Sequence, residues 1–241
     1  MTSAQKTVVL VGGGRMGTLI AQTLGEAYAV LGTYDIDNIA ELDADAPAAD
    51  LVIDFSNKAA LPHVAAYVRR TGAALVSGTT GYDAAEQEQI RALGEVAPVI
   101  WSGNYSLGVA ALRHATELVA RAVEGWDVEI VETHHNQKAD APSGTAEMLR
   151  ACVDPTGDVP VAYGRQGMIG ARPSREIGMH ALRGGTVAGT HEVHFFGQDE
   201  ELCLTHRATS RQIFVNGAVA AAARLLTRPK GFYTFDQLMF E

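Results

Sequence analysis

The densest chemistry in the chain lies in Glu132-Thr133-His134-His135-Asn136-Gln137-Lys138-Ala139-Asp140-Ala141-Pro142-Ser143-Gly144-Thr145-Ala146. Two adjacent imidazoles, His134 and His135, with Lys138 four residues after the first, offer proton donors that work near neutral pH beside a fixed cation. The segment follows a strand pattern and precedes a helical one. Pro142-Ser143-Gly144-Thr145 therefore brings two hydroxyls and free backbone N–H groups to a helix N-terminus, a ready place for a carboxylate or a phosphate. Simple N-capping by Ser143 or Thr145 accounts for the same residues and does not exclude anion binding. A dianion leaves water only where cations and N–H donors replace its hydration, so Lys138 together with this turn points to an acidic small molecule.

A second constellation stands near the N-terminus. Gly12-Gly13-Gly14-Arg15-Met16-Gly17 follows the apolar run Val8-Val9-Leu10-Val11 and opens a helical pattern. The first glycine of such a Gly-x-Gly-x-x-Gly loop permits a tight turn, the second lets backbone approach a pyrophosphate, and the third lets helix and strand pack closely. Alone the pattern is weak and fits any glycine-rich turn. Here Asp35 ends the next strand, 18 residues beyond Gly17, where an acid would bind a ribose 2′-hydroxyl. That carboxylate repels a 2′-phosphate, and Ile36 and Asp37 supply no compensating cation, so NADH is favoured over NADPH, with Arg15 as the nearby residue that could reach a phosphate. Ser77-Gly78-Thr79-Thr80-Gly81 makes a second glycine-rich turn, at the end of the fourth strand pattern. Its simpler reading is an ordinary strand-to-helix turn.

These residues need a scaffold, and the chain patterning supplies one. Short β-rich runs at 7–11, 29–34, 51–55, 74–77 and 96–101 alternate with helical stretches, and their near-continuous apolar character suits strands covered on both faces in a parallel sheet. Gly72 reads as a helix stop. From 104 the texture changes to one long helical pattern over 106–123, then to β-like segments at 175–183, 189–197 and 201–207. Gly184-Gly185 and Gln198-Asp199 between them suggest antiparallel meanders, whose exposed edges favour pairing with another subunit. Residues 157–173 read as loop, and 213–226 as a helix returning to the first domain. The expected fold is α/β: a Rossmann-like parallel-sheet domain (1–103 with 217–241) that binds the dinucleotide, and an α+β domain with a mixed or antiparallel sheet (104–216) for substrate binding and oligomerisation.

Composition narrows the partners. With 241 residues, 47% hydrophobic and 20% charged, the chain has the make-up of a globular protein able to build its core without staples. A net charge of −9 and the lack of a Lys/Arg run argue against nucleic-acid and anionic-membrane surfaces. No apolar stretch approaches the ~18 residues of a membrane span, and a cytoplasmic location is expected. Cys152 and Cys203 have neither zinc-site nor disulfide spacing and are expected to be buried thiols.

Taken together, Gly14-Arg15-Met16-Gly17, Gly78-Thr79-Thr80-Gly81, Asn104-Tyr105-Ser106 and above all His134-His135-x-x-Lys138-x-Asp140-Ala-Pro-Ser-Gly-Thr145 resemble the dihydrodipicolinate reductases, in order along the whole chain. The last segment is specific to that family, whereas the glycine loop is shared with many others. The resemblance implies an enzyme of bacterial lysine and diaminopimelate synthesis, a homotetramer using NADH or NADPH on a cyclic dicarboxylate. By position, His134 resembles the family's proton donor and Lys138 its second, cationic acid. His135, Gly144 and Thr145 resemble carboxylate ligands, helped by Ser143. Gly12, Gly13, Gly14, Arg15, Met16, Gly17, Gly78, Thr79, Thr80, Ser102, Gly103, Asn104 and Tyr105 match dinucleotide contacts. Two departures bear on the cofactor: Val11 replaces a glycine common at the loop's start, and Asp35-Ile36 replaces an acid–arginine pair of some NADPH-using members.

The implied chemistry is hydride addition to an unsaturated carbon of a cyclic imine or enamine, with the resulting electron density quenched by a proton from His134 or through Lys138. It needs no metal, and domain closure is expected to dry the cleft. Two rivals remain at this level. A semialdehyde or homoserine dehydrogenase shares the two-domain plan, but the former needs a nucleophilic cysteine, and neither Cys152 nor Cys203 sits in an activating context. A silent NADH-binding sensor would not need the His/Lys/Ser-Gly-Thr constellation.

Overall fold

A computed structural model describes residues 5–241. They form two compact units, one built from the chain up to Ser106 together with Gln212–Glu241, the other from Leu107–Arg211.

Strands β1 (Lys6–Val11), β2 (Tyr28–Tyr34), β3 (Leu51–Asp54), β4 (Ala74–Ser77), β5 (Pro98–Trp101) and β11 (Gly231–Tyr233) make the first unit's sheet. The order is β2-β1-β3-β4-β5-β11 and every pairing is parallel. All four residues of β3 and of β4 are buried, as expected of inner strands covered on both faces, while β2 at the edge exposes Val30 and Leu31. Beneath one face lies the core of Val9, Val52, Leu75 and Val99 with Val64, Tyr67 and Val68 of α2 (Leu61–Thr71). Pro62 opens that helix, and Gly72, at φ 71°, ends it in the left-handed conformation. On the sheet also packs α6 (Gln212–Leu225), against α1 (Arg15–Thr23), β4 and β5. Its small residues allow close approach: a methyl group on Gly217 would overlap the Tyr105 carbonyl oxygen. Strand order reverses between β1 and β3, and the loop after β1 sits at that switch point.

The second unit has a mixed sheet, β10-β9-β6-β8-β7, built from β6 (Asp127–His134), β7 (Val161–Ala162), β8 (Ile177–Arg183), β9 (Gly189–Phe196) and β10 (Glu201–Ala208). Helices α4 (Leu107–Ala122) and α5 (Gly144–Val153) pack together, α4 also against β10 and α5 against β6 and β9. Leu112, Val128, Ile130, Leu149, Met179, Val193 and Phe195 fill the core. Alternation is strict along β6 and β9: Val128, Ile130 and Glu132 face the interior from one, Gly189, His191, Val193 and Phe195 from the other.

One expectation of a meander fails here. Gly184-Gly185 does not close a hairpin, because β6 lies between β8 and β9, parallel to the first and antiparallel to the second. The diglycine instead passes the end of β6, with Gly184 N–H donating to His134 O and Asn136 N–H to Gly185 O. Among consecutive strands of this sheet, β9 and β10 pair antiparallel as a hairpin does, and β7 and β8 pair parallel. The stretch 157–173 contains β7 but is otherwise irregular; Arg165 and Arg172 tie it to Glu129. The cysteines also depart from expectation: Cys152 is half-buried, with burial pushing its thiol up to about 11, and Cys203 is exposed. No helix of the described residues is long and apolar enough to cross a membrane.

Candidate active site

In the first unit, the glycine loop has the build of an anion cradle. Gly12, at φ 99°, turns the chain against the Phe55 carbonyl, where a Cβ would come within 2.6 Å of the oxygen. A Cβ on Gly17 would overlap the Gly12 carbonyl oxygen, so only glycine lets α1 start this close to β1. Gly13, Gly14 and Arg15 are exposed and Met16 is half-buried. Helix α1 starts without a side-chain cap and without an acid in its first turn, leaving the positive end of its dipole uncompensated. Asp35 lies beside the loop, its Oδ2 accepting from Gly13 N–H at 2.8 Å and its Oδ1 from Ile36 N–H at 2.8 Å. These two bonds, Ile36's first, hold the Asp35 carboxyl below the usual range, so it is ionised at neutral pH. Open glycines, an uncapped helix and an adjacent carboxylate fit a pyrophosphate and the ribose next to it.

The second turn is organised from behind by Asp54, a buried carboxylate at the end of β3 that sequence reasoning missed. Hydroxyls of Ser56, Ser77 and Thr79 donate to it at 2.5, 2.9 and 2.9 Å. Burial pushes its carboxyl up despite these bonds. Thr79 is accordingly turned inward, and its hydroxyl also accepts from Ser56 N–H. Gly78 leaves room for the Phe55 ring, and Thr80 is exposed. Tyr105 is buried, donating its hydroxyl to Ser77 O at 2.8 Å and packing edge-on to Phe235. Ser102 and Asn104 brace each other across exposed Gly103: Ser102 Oγ donates to Asn104 O, and Asn104 N–H donates back to Ser102 Oγ. Thr79 and Tyr105 thus serve as supports of the loop through their side chains.

In the second unit, the chemistry-bearing segment begins at the end of β6. His134 Nδ1 lies 2.5 Å from Glu132 Oε2, and the His134 ring meets that of His191 edge to face at 5.1 Å between centroids. Glu132, fully buried, also accepts from Arg183 Nη1 at 2.9 Å, Arg183 Nη2 at 2.8 Å and Ser143 N–H at 3.1 Å. Burial alone would raise the Glu132 carboxyl; the bonds from Arg183 and His134 outweigh it and bring it down. A tight turn follows, in which Lys138 N–H donates to His135 O and Gln137 N–H to His135 Nδ1. Lys138 Nζ reaches Asp140 at 2.7 and 2.8 Å.

Ser143 is the N-cap of α5, its Oγ accepting from Ala146 N–H. The same hydroxyl lies 3.1 Å from His191 Nε2. Two donors of the expected anion turn, the N–H groups of Ser143 and Ala146, are therefore already satisfied from within, and Gly144, exposed at the helix start, is the open position. His134 and Ser143 converge on Glu132, and His135 and Lys138 share one turn. The glycine-loop residues belong to the first unit. Glu132, Arg183 and His191 escaped the sequence reading, although Val128, Ile130, Glu132 and His134 share parity along β6, and that parity marks Glu132 as a core-facing acid.

The known proteins that this chain is similar to agree with one another. The family description "Dihydrodipicolinate reductase, N-terminus" matches residues 6–105, and "Dihydrodipicolinate reductase, C-terminus" matches residues 108–239. A 4-hydroxy-tetrahydrodipicolinate reductase of an Exiguobacterium species is 38% identical over 239 residues, covering 97% of this chain and 96% of the relative. That of Akkermansia muciniphila is 40% identical over 233 residues, 94% of each. The fold is shared with a dipicolinate-bound dihydrodipicolinate reductase from Paenisporosarcina sp. TG-14, at TM-score 0.76 and 21% identity over 98% of this chain and all of that one. With both halves matched, and with relatives this similar over nearly their full length, the chain belongs to the dihydrodipicolinate reductase family.

Proposed function

We propose that the protein reduces 4-hydroxy-tetrahydrodipicolinate to tetrahydrodipicolinate with NADH or NADPH, in lysine and diaminopimelate synthesis, as a cytoplasmic homotetramer. The residues up to 103 with 217–241 bind the nucleotide, and 104–216 bind the substrate and neighbouring subunits. The observation that carries this reading is the second unit's cluster, where an imidazole anchored at Nδ1 precedes a lysine turn and a capped helix start.

When bound, the reduced nicotinamide supplies the hydride. Gly12 to Gly17, Gly78 to Thr80 and Ser102 to Tyr105 would hold the dinucleotide, with the Asp35 carboxylate beside its ribose. A 2′-phosphate beside that carboxylate would set like charges together, which supports a preference for NADH. The remaining work is done by the substrate-side residues. Lys138, released from Asp140, and His135, Gly144 and Thr145 bind the two carboxylates, with Ser143 helping as the buried cap that holds the helix start in place. His134, protonated at both nitrogens, delivers from Nε2 the proton that quenches the electron density left on the ring, and remains as the neutral Nδ1–H imidazole bonded to Glu132. A positioned acid of this kind contributes ~10²–10⁴-fold. For assembly, β10 is an edge strand with an unpaired side, a surface that supports pairing with a second copy.

The test is kinetic. Substrate is generated in situ from aspartate semialdehyde and pyruvate, and loss of reduced nicotinamide is followed with His134→Gln and Lys138→Ala. Both variants are expected to lose ~100-fold or more in turnover while remaining folded. Full turnover in both would overturn the assignment. Running the two nucleotides in parallel, with Asp35→Ala beside the parent chain, tests the cofactor preference.

A further inference from the structure

We infer that Glu132 is the positioning residue for His134: it fixes the imidazole in the Nδ1–H form so that Nε2 is the nitrogen presented to substrate, and Arg183 is the counter-charge that makes this possible. The inference rests on the reading of His134 as the proton donor.

Hydrogen-bond supply decides the tautomer. Among the described residues, every partner of the Glu132 carboxylate apart from His134 can only donate: two guanidinium nitrogens and a backbone N–H. A carboxylate so surrounded is ionised, accepts and has no proton to give. His134 Nδ1, at 2.5 Å from the same carboxylate, must then be the donor, and the ring's exchangeable lone pair or proton is left at Nε2. Taking a carboxylate wholly out of water is costly unless it is paired, and the fork of Arg183, itself near the protein surface, supplies that pairing with both oxygens.

The backbone sets the alignment. On the mixed sheet His134 lies opposite Arg183 of β8, and Glu132 lies opposite His191 of β9. Strand register therefore places the acid, the imidazole, the Arg183 guanidinium and the flanking His191 ring without any flexible segment, and the His191 ring packs edge-on against His134 to limit its rotation. Beyond Nε2 stands Gly189, where a Cβ would come within 3.0 Å of that nitrogen. A glycine at this position keeps the approach to Nε2 open. Arg183 also donates from Nη1 to the Leu182 carbonyl and from Nη2 to the Asp140 carbonyl, each at 2.7 Å, so the guanidinium that holds Glu132 also holds the turn carrying Lys138. The acid and the cation are thereby registered to each other through one side chain.

The experiment reads the tautomer directly. In protein carrying ¹⁵N-histidine, long-range proton–nitrogen correlations distinguish Nδ1–H from Nε2–H for neutral His134 in the free enzyme, with His134→Gln identifying its signals. The parent chain is expected in the Nδ1–H form. In Glu132→Gln the amide turns its oxygen to Arg183 and its NH₂ to His134, which switches the ring to Nε2–H. That variant is expected to lose ~100-fold in kcat with KM within about threefold, and Glu132→Asp to regain about tenfold of it. Should Glu132→Gln fold poorly because Arg183 is left unpaired, the double variant Glu132→Gln/Arg183→Gln removes both charges and is expected to show the same switch. An Nε2–H ring in the parent chain, or a folded variant lacking the carboxylate that keeps its tautomer and its kcat, would overturn the inference. If His134→Gln alone kept full turnover, the proposed role of His134 would fail instead, and the tautomer measurement, made without substrate, would stand apart from it.

Discussion

Buried His191 makes the protein acid-sensitive by a calculable amount. It is only 4% exposed, its Nε2 faces Ser143 Oγ, and its Nδ1 has no hydrogen-bond partner among the described residues. Burial first, then the neighbouring His134, brings its pKa down to about 4 from 6.5. The unfolded chain therefore binds a proton near pH 6.5 that the native protein refuses until about pH 4, so stability is intact above pH 6.5 and falls as pH drops through this window. Between pH 7 and pH 4.5 the loss from this one residue is about 2 kcal/mol, and it saturates near 3 kcal/mol below pH 4. Urea denaturation at both pH values measures it, with His191→Gln as the comparison because glutamine keeps a partner for Ser143 and does not titrate. Other groups titrate in both proteins and cancel in the difference. The variant is expected to lose about 2 kcal/mol less than the parent chain on acidification. Equal losses would show that His191 is protonated in the native state, and the account of a neutral buried imidazole beside His134 would be wrong.

Three further outcomes follow from the first unit. Gly17→Ala drives a methyl into the Gly12 carbonyl, a backbone atom that cannot swing away; it should cost about 1–3 kcal/mol in thermal or urea unfolding and weaken nucleotide binding more than tenfold by calorimetry. Asp54→Ala strands the hydroxyls of Ser56, Ser77 and Thr79 and should destabilise by about 3 kcal/mol, with a rise in KM for nucleotide exceeding that for substrate. Asp35→Ala removes the charge that opposes a 2′-phosphate, and the ratio of kcat/KM for NADPH to that for NADH should rise about tenfold or more.

What could be read ahead of the structure, and what could not, divides along a physical line. Local sequence carries information about residues whose role depends on their immediate neighbours. Gly12 and Gly17 are legible because a tight turn and a close helix start are demands of a six-residue loop. Gly72 and Ser143 are legible because helix ends are satisfied within a turn. Strand β11 was missed because three residues, Gly231 to Tyr233, are too few to show alternation, and their partner β5 lies far back in the chain. The diglycine at 184–185 misled because turn residues report a reversal and say nothing of what lies between the two arms; here β6, some fifty residues earlier, fills the gap.

The same line explains the second unit's cluster. His134, Lys138 and Ser143 are close in sequence and announce themselves, yet the groups that hold them come from other strands: Arg183 from β8 and His191 from β9. Each is unremarked in its own stretch of chain, and only strand register gives it a partner. Glu132 is the intermediate case. Its parity with Val128 and Ile130 declares burial, burial of a carboxylate demands donors, and those donors could be sought among the arginines of neighbouring strands before any coordinates are seen. The acid that aligns the imidazole is thus deducible from alternation together with electrostatics, whereas the identity of its cation required the order of the strands. That asymmetry gives a usable rule for such sites: a charged residue at a core-facing strand position, two residues from a candidate proton donor, is a first place to look for what orients it.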